Sequence, residues 1–234
     1  MQNSSEQLLD IPIWSRTVFV ELLPKLNAEF PKNCQGIQGR AKHLGMNEWT
    51  DIQLFDALRS GHKGALSILY LRHYNYLLHY GLQIGADQIL VEESIQELFT
   101  HLFESYDHFG EVTYVRAYLF KALRRRVVAV IGYERGRKDS ENKWRDQVDM
   151  RFSLNDFDNL QVEQDRLHSV LIDALNNLPW RQREAVYLRY YNGLSTKEIA
   201  EVMGAANQTV LNTLFQALKK LRKYDQLKNV VGYL

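Results

Sequence analysis

Apolar residues recur every three or four positions through most of residues 47–224, a spacing that gathers them on one side of a helix. Strand-type alternation is scarce, so the chain is predicted to be nearly all α. Thr50 caps the first helical segment and Gln53 completes a capping box, with Ile52, Leu54, Phe55 and Leu58 as its apolar positions. The run 60–64, SGHKG, breaks that helix. A second resumes over 65–80 with Leu66, Leu69, Tyr74, Leu77 and Leu78 expected inside. Over 87–106, Val91, Ile95, Leu98, Phe99, Leu102 and Phe103 make a continuous apolar stripe, outside which lie Glu92, Glu93, Gln96, Glu97 and Glu104. Over 114–131, Val115, Tyr118, Leu119, Ala122, Leu123, Val127 and Ile131 turn inward, while Arg116, Lys121, Arg124, Arg125 and Arg126 point out or snorkel.

The stretch 165–223 punctuates itself into four helices. Leu167, Val170, Leu171, Ala174, Leu175 and Leu178 form the apolar face of the first. Pro179 suits the first turn of the second, where a missing N–H costs nothing, and Gly193 can stop it in a left-handed conformation. Ser195 starts the third, paired with Glu198 in a capping box, with Leu194 stapled onto Ile199. Gly204 ends that short helix and the chain restarts at Ala206 or Asn207. In the last helix Val210, Leu214, Ala217, Leu218 and Leu221 share one side. Asn207, Gln208, Asn212 and Gln216 fall largely on the other, followed by Lys219, Lys220, Arg222 and Lys223. A capped short helix, a glycine turn and a longer helix with amides forward and cations behind describe a helix-turn-helix. Amides read base edges and lysines neutralise phosphates. A plain helical hairpin with a solvated basic face has the same periodicity, and spacing alone leaves both open.

Of 234 residues, 45% are hydrophobic and 24% charged, enough for one large or two small cores. The near balance of 29 Lys and Arg against 28 Asp and Glu lacks the basic excess expected of a nucleic-acid binder. Charge is instead segregated: residues 114–138 hold eight basic side chains and one acidic, residues 139–165 eight acidic and three basic. Cys34 stands alone, which excludes a disulfide framework and a cysteine-based metal site. No apolar run approaches the ~18 residues of a membrane span. Glu6 and Asp10 lie where a signal peptide needs positive charge, so a cytoplasmic protein is expected. There is no Gly-rich phosphate loop, HExxH, G-x-S-x-G or zinc-spaced cluster. The histidines, His73, His79 and His168 among them, are dispersed. The reading is of a protein that is not an enzyme, with no cofactor, metal or small-molecule substrate.

The segment LPWRQREAVYLRYYNGLSTKEIAEVMGAANQTVLNTLFQALKKLR (178–222) resembles region 4 of bacterial sigma-70-type factors, most closely the extracytoplasmic-function (ECF) branch. The segment LFDALRSGHKGALSILYLRHYNYLLHY (54–80) resembles the opening of sigma region 2, with His62 where an Asp is usual. EESIQELFTHLF (92–103) looks like the family's D-x-x-Q-E-x-F helix, which docks on a coiled coil of the RNA polymerase β′ subunit. The resemblance makes Glu93, in the Asp position, with Gln96, Glu97 and Phe99 the core-polymerase contacts. It makes Tyr118, Lys121, Arg124, Arg125 and Arg126 the contacts to the melted downstream (−10) promoter element. Rings beside cations suit unpaired DNA, because bases stack while cations follow the backbone. Tyr118 and Arg125 replace the family's usual Trp and Asn, which favours phosphate contact over base pairing by Arg125. Asn207, Gln208, Thr209, Asn212, Gln216, Lys219 and Lys220 become the contacts to the upstream (−35) element. Leu211 and Thr213 replace frequent cations, and Ala206 replaces a frequent Ser cap, which would give Asn207 the cap in place of a base.

The implied architecture is an all-α pair of small domains joined by a flexible linker: a region 2-like bundle over 46–135, an acidic linker over 136–164 and a region 4-like helix-turn-helix over 165–228, with a tail at 229–234. Trp144, Phe152, Leu154 and Phe157 are docking points scattered in the linker. Residues 1–45, broken by Pro12, Pro24, Pro31 and three glycines, form either an accessory arm or a stretch preceding a true start at Met46. The implied partners are the β′ and β subunits of core RNA polymerase, promoter DNA and an anti-sigma protein, with no membrane insertion. A stand-alone helix-turn-helix regulator binding duplex DNA without polymerase is the alternative. A recombinase is the enzymatic one, and no nucleophile domain precedes the helix-turn-helix to support it.

Overall fold

The computed structural model describes residues 48–134, 150–152 and 165–224. The expectations for residues 1–45, for Trp144, Leu154 and Phe157, for the side chains of Leu167 and His168, and for the tail lie outside the described residues. Among the described residues all regular structure is helical: α1 (Asp51–Arg59), α2 (Gly64–Gln83), α3 (Gln88–Glu104), α4 (Val115–Glu134), α5 (Asp165–Asn176), α6 (Trp180–Val186), a π-helical turn (Tyr187–Tyr191), α7 (Thr196–Met203) and α8 (Asn207–Arg222).

The start signals act as anticipated in α1 and α7. At α1 the Gln53 N–H donates to Thr50 Oγ1 at 3.3 Å, and the Thr50 N–H donates back to Gln53 Oε1 at 2.8 Å. Ile52, placed on the apolar face by its side-chain type, is 48% exposed. Its spacing from Leu54, Phe55 and Leu58 puts it on the far side of the helix from the core. In α2, Leu69 and Leu77 are fully buried, whereas Leu66, Tyr74 and Leu78 are half-buried against the same core. The helix continues to Gln83, beyond the expected end at 80. Gly81 explains how α3 reaches it so closely: a Cβ there would lie 2.3 Å from Val91 Cγ1, so only a glycine admits the Val91 side chain. Asp87 caps α3 by accepting the Leu90 N–H at 2.9 Å. Phe103, expected to close the α3 stripe, is 43% exposed, because the core takes its neighbour Leu102 instead. The Lys63 ammonium lies 4.1 Å above the Phe103 ring.

Helix α4 is the shared wall of the molecule. It packs on α1, α2 and α3 with one side and on α7 with another. Buried apolar residues from α1 through α8 accordingly form one continuous cluster. Aromatic rings carry it from one half to the other. Phe120 of α4 lies 5.1 Å from Tyr80 of α2, Tyr80 stacks on Tyr187 of the π turn at 6.2 Å, and Tyr187 stacks on Tyr191 at 4.6 Å. Phe152 adds its ring at 6.0 Å from Tyr187. Asn176 holds that residue by both backbone groups, accepting the Phe152 N–H and donating to its carbonyl, each at 2.9 Å. Phe152 thus docks, and Met150 is fully buried beside it in sequence.

In the second half, Pro179 precedes α6 as its N-cap with ψ 146°, one position earlier than the first turn. The π turn was not anticipated from periodicity. There the Asn192 N–H donates to the Tyr187 carbonyl at 3.1 Å, one residue farther than in an α-helix. Tyr187 and Tyr191, four residues apart, stack on one side of this turn. Gly204 ends α7 in the left-handed region (φ 62°, ψ 40°), which sets the angle at which α8 leaves.

Candidate nucleic-acid interface

Helix α8 is held by its apolar side on α6 and α7, with Val210, Leu214, Ala217, Leu218 and Leu221 buried. Asn207, Gln208, Thr209, Asn212, Gln216, Lys219 and Lys220 are all exposed. The cap question is resolved against Asn207: Ala206 is the N-cap, without a side-chain hydrogen bond, and Asn207 is the first helical residue. Gln208 Nε2 donates to Asn212 Oδ1 at 3.3 Å, one turn on, which aligns the two amides along a single stripe. Phe215, 50% exposed, continues that stripe between Asn212 and Lys219 and was not among the expected contacts. Its spacing from Gln208 and Asn212 was the available signal. An aromatic residue at an otherwise polar, outward helical position is informative when the core positions are already filled.

Helix α4 departs more from expectation. Lys121 and Arg125 are exposed, as anticipated. Tyr118 is half-buried, its ring meeting Phe55 at 5.9 Å and Phe109 at 6.0 Å edge-on, and burial pushes its phenol pKa up. Arg126 pairs with Glu97 of α3. Arg124, expected to point outward, is buried at 6% exposure. Its Nε donates to Glu184 Oε1 at 2.7 Å and its Nη2 to Glu184 Oε2 at 3.3 Å. Glu184 belongs to α6 and is fully buried, and it also accepts from the Tyr80 hydroxyl at 2.7 Å. Burial and the neighbouring carboxylate both push the Tyr80 phenol well above its ordinary pKa, so it stays a donor. A buried cation requires such a partner, and periodicity on α4 alone gives no sight of one on α6. Arg116 also turns toward the second half, donating to the Asn192 carbonyl.

On α3, Glu93, Gln96 and Glu97 are exposed, leaving an outward acidic face. Phe99 differs: it is 6% exposed and packs edge-on against Tyr70 at 5.0 Å, so it anchors the helix and presents no surface to a partner. Among the described residues there is no group of three or more His, Cys, Asp and Glu side chains able to hold a metal ion. No described helix is long and apolar enough to cross a membrane.

Comparison with known proteins shows what this chain is similar to. The sequence model of sigma-70 region 4 matches residues 168–221, which take in most of α5 and run through α6 and α7 into α8. The RNA polymerase sigma factor SigV of Bacillus subtilis (strain 168) is 40% identical over 52 residues, covering 22% of this chain and 31% of that one. The ECF RNA polymerase sigma factor SigM of the same organism is 27% identical over 157 residues, covering 66% of this chain and 91% of that one. A solved structure described as CnrH in complex with the cytosolic domain of CnrY is 23% identical, with a TM-score of 0.48, covering 74% of this chain and 94% of that one. Region 4 of the sigma-70 family is thus matched directly in the second half, and relatives named as ECF RNA polymerase sigma factors are similar to this chain across both halves.

Proposed function

We propose that this chain binds core RNA polymerase and directs it to a defined promoter. In this reading a region 2-like domain (46–135) and a region 4-like domain (165–228) act on either side of the linker 136–164. The observation that carries the reading is the solvent-facing stripe of amides on α8, backed by Lys219 and Lys220, on a helix whose other side is fully packed. Side-chain amides pair bidentately with adenine edges in the major groove, and the lysines behind them meet phosphates. The contacts proposed for the upstream element are Asn207, Gln208, Thr209, Asn212, Gln216, Lys219 and Lys220. Phe215 supplies an apolar surface on the same stripe, suited to a thymine methyl group.

Lys121, Arg125 and Arg126 of α4 hold the opened downstream strand in this reading, with Tyr118 beside them. Glu93, Gln96 and Glu97 form the polymerase-facing patch, their acidic character matching a basic partner surface, and Phe99 fixes the helix that carries them. The polymerase, with its β′ and β subunits, supplies the chemistry. An anti-sigma protein is a further candidate partner.

The test combines purified protein, core polymerase and a promoter library. The expected result is a single defined start site that appears only when both proteins are present. Tight binding to a palindromic duplex as a symmetric dimer, with no polymerase-dependent initiation, would establish the stand-alone regulator instead.

A further inference from the structure

On α3, Val91, Ile95, Leu98, Phe99 and Leu102 fill the core side, while Ile89, Glu93, Gln96, Glu97 and Thr100 are exposed. With about 100° between successive residues, those exposed side chains share an arc of about 100°, and Ile89 falls between Gln96 and Thr100. Ile89 is 70% exposed, more than any other large apolar side chain among the described residues. Its type does not serve the helix. Asp87 already supplies the cap by accepting the Leu90 N–H, and a β-branched residue is a poorer helix former than a straight-chain one. Phe103, the other exposed large apolar side chain of α3, has the Lys63 ammonium over its ring. Leu82, at the end of α2 before the turn into α3, is exposed as well. An uncovered aliphatic side chain therefore stands in line with the acidic and amide residues of α3.

We propose that Ile89 is an apolar anchor of the polymerase-facing patch, and that the basic partner surface meeting Glu93, Gln96 and Glu97 also presents an apolar hollow that covers Ile89. The inference rests on the proposed role of the acidic face of α3. Ile89 lies about 6 Å along the helix from Glu93 and about 10 Å from Gln96, so a surface broad enough to meet the three polar residues reaches Ile89 too. The two kinds of contact contribute differently. Exposed charges on opposing surfaces speed encounter, and salt screens them. An aliphatic side chain removed from water contributes in proportion to the apolar area covered, an effect that simple salts at moderate concentration do not screen. Losing such a contact mainly hastens dissociation. The acidic residues would thus bring the partner surface in, and Ile89 would hold it.

The experiment measures association and dissociation of the full chain on immobilised core polymerase over a series of potassium chloride concentrations. Ile89→Gln should raise Kd by about tenfold, chiefly through faster dissociation and by the same factor at every salt concentration. Ile89→Leu, which keeps the apolar bulk, should bind like the parent protein. Gln is the better helix former at an exposed position, so Ile89→Gln should unfold in urea no earlier than the parent, and its weaker binding is then not a loss of fold. Glu97→Lys, measured alongside, should lose most at low salt and least at high salt. Parent-like binding by Ile89→Gln would overturn the anchor: if Glu97→Lys still weakens binding the acidic face stands, and if neither change matters the whole patch falls. A loss in Ile89→Gln that disappears as salt rises, or an equal loss in Ile89→Leu, would also overturn it. Failure of the parent protein to bind core polymerase at any salt concentration would refute the proposed function, and the anchor with it.

Discussion

Gln208 and Lys220 lie on the same exposed side of α8, yet they should fail in different ways when truncated. An amide paired bidentately to one base discriminates by roughly 1–3 kcal/mol, so Gln208→Ala should lower affinity and relax specificity at a single base pair. Lys220→Ala removes one phosphate contact, so it should weaken every site alike and reduce the salt slope by about one. A binding series over all single substitutions in the upstream element separates the two; equal weakening of all sites by Gln208→Ala would show that the groove face is misassigned. Asp51 offers a pH-dependent test. Burial raises its pKa, but hydrogen bonds and charge from His73 and Arg72 outweigh that and bring it to about 2. Arg72 Nη1 lies 2.5 Å and His73 Nε2 2.9 Å from its carboxylate oxygens. A depressed carboxylate contributes stability above its unfolded pKa of 3.8, and that stability is lost as pH falls from about 4 through about 2. Asp51→Asn should cost at most about 2 kcal/mol at neutral pH, discounted for its partial exposure, and progressively less in acid. Urea unfolding at pH 7 and at low pH measures the difference. The residue scale was legible where a role depends on type and exposure, as for the α8 amides. It was hidden where a role needs a partner distant in sequence, as for Arg124.

Among the helices, α2 and α3 give the most direct steric prediction. Gly81→Ala would gain helix propensity of about 1 kcal/mol, but its Cβ would stand 2.3 Å from Val91 Cγ1 and 2.7 Å from Cγ2. The clash should dominate and destabilise by about 1–3 kcal/mol. Combining it with Val91→Ala should recover part of the loss relative to the sum of the two single changes. Thermal unfolding of the double-mutant cycle decides, and simple additivity would mean that the helices shift apart at no cost. Helix α3 also carries the polymerase-facing proposal. Glu97→Lys abolishes a surface pair with Arg126, worth about 1 kcal/mol or less, so helicity and melting temperature should hardly change. Core binding should fall clearly, and intact binding would reduce the acidic face to a solvated surface. Periodicity and caps located these helices because both are local properties of the chain. The π turn escaped because its extra residue per turn is selected by the stacking of Tyr187 on Tyr80 and Tyr191, which involves another helix.

The whole molecule should unfold as one unit, since a single core runs through both halves. Trp49 belongs to the first half and Trp180 to the second, so variants in which one of these is the sole survivor of the four tryptophans report on each half separately. Their urea transitions should coincide in the parent protein and move apart with Glu184→Leu, which leaves Arg124 buried without its partner. Separate transitions in the parent protein would show that the aromatic layer contributes little to the coupling. A tether between two helical units was the architecture read from composition, with Phe152 as one docking point. The structure adds that Phe152 is gripped by Asn176 and stacked near Tyr187, so this point of the linker belongs to the core.

The sequence by itself determined the helices, their starts at Thr50 and Ser195, the turn at Gly204 and the polar stripe of α8. Each depends on side-chain type within a few residues, where spacing and capping act directly. Only the tertiary structure decided which face of α4 meets solvent. Arg124 and Glu184 are 60 residues apart, and each alone looks like a surface charge. Burial of both became affordable only when the fold brought them within 2.7 Å of each other, with Tyr80 donating to the same carboxylate. Local pattern cannot encode that outcome, because the free energy of a buried charge depends on whatever faces it.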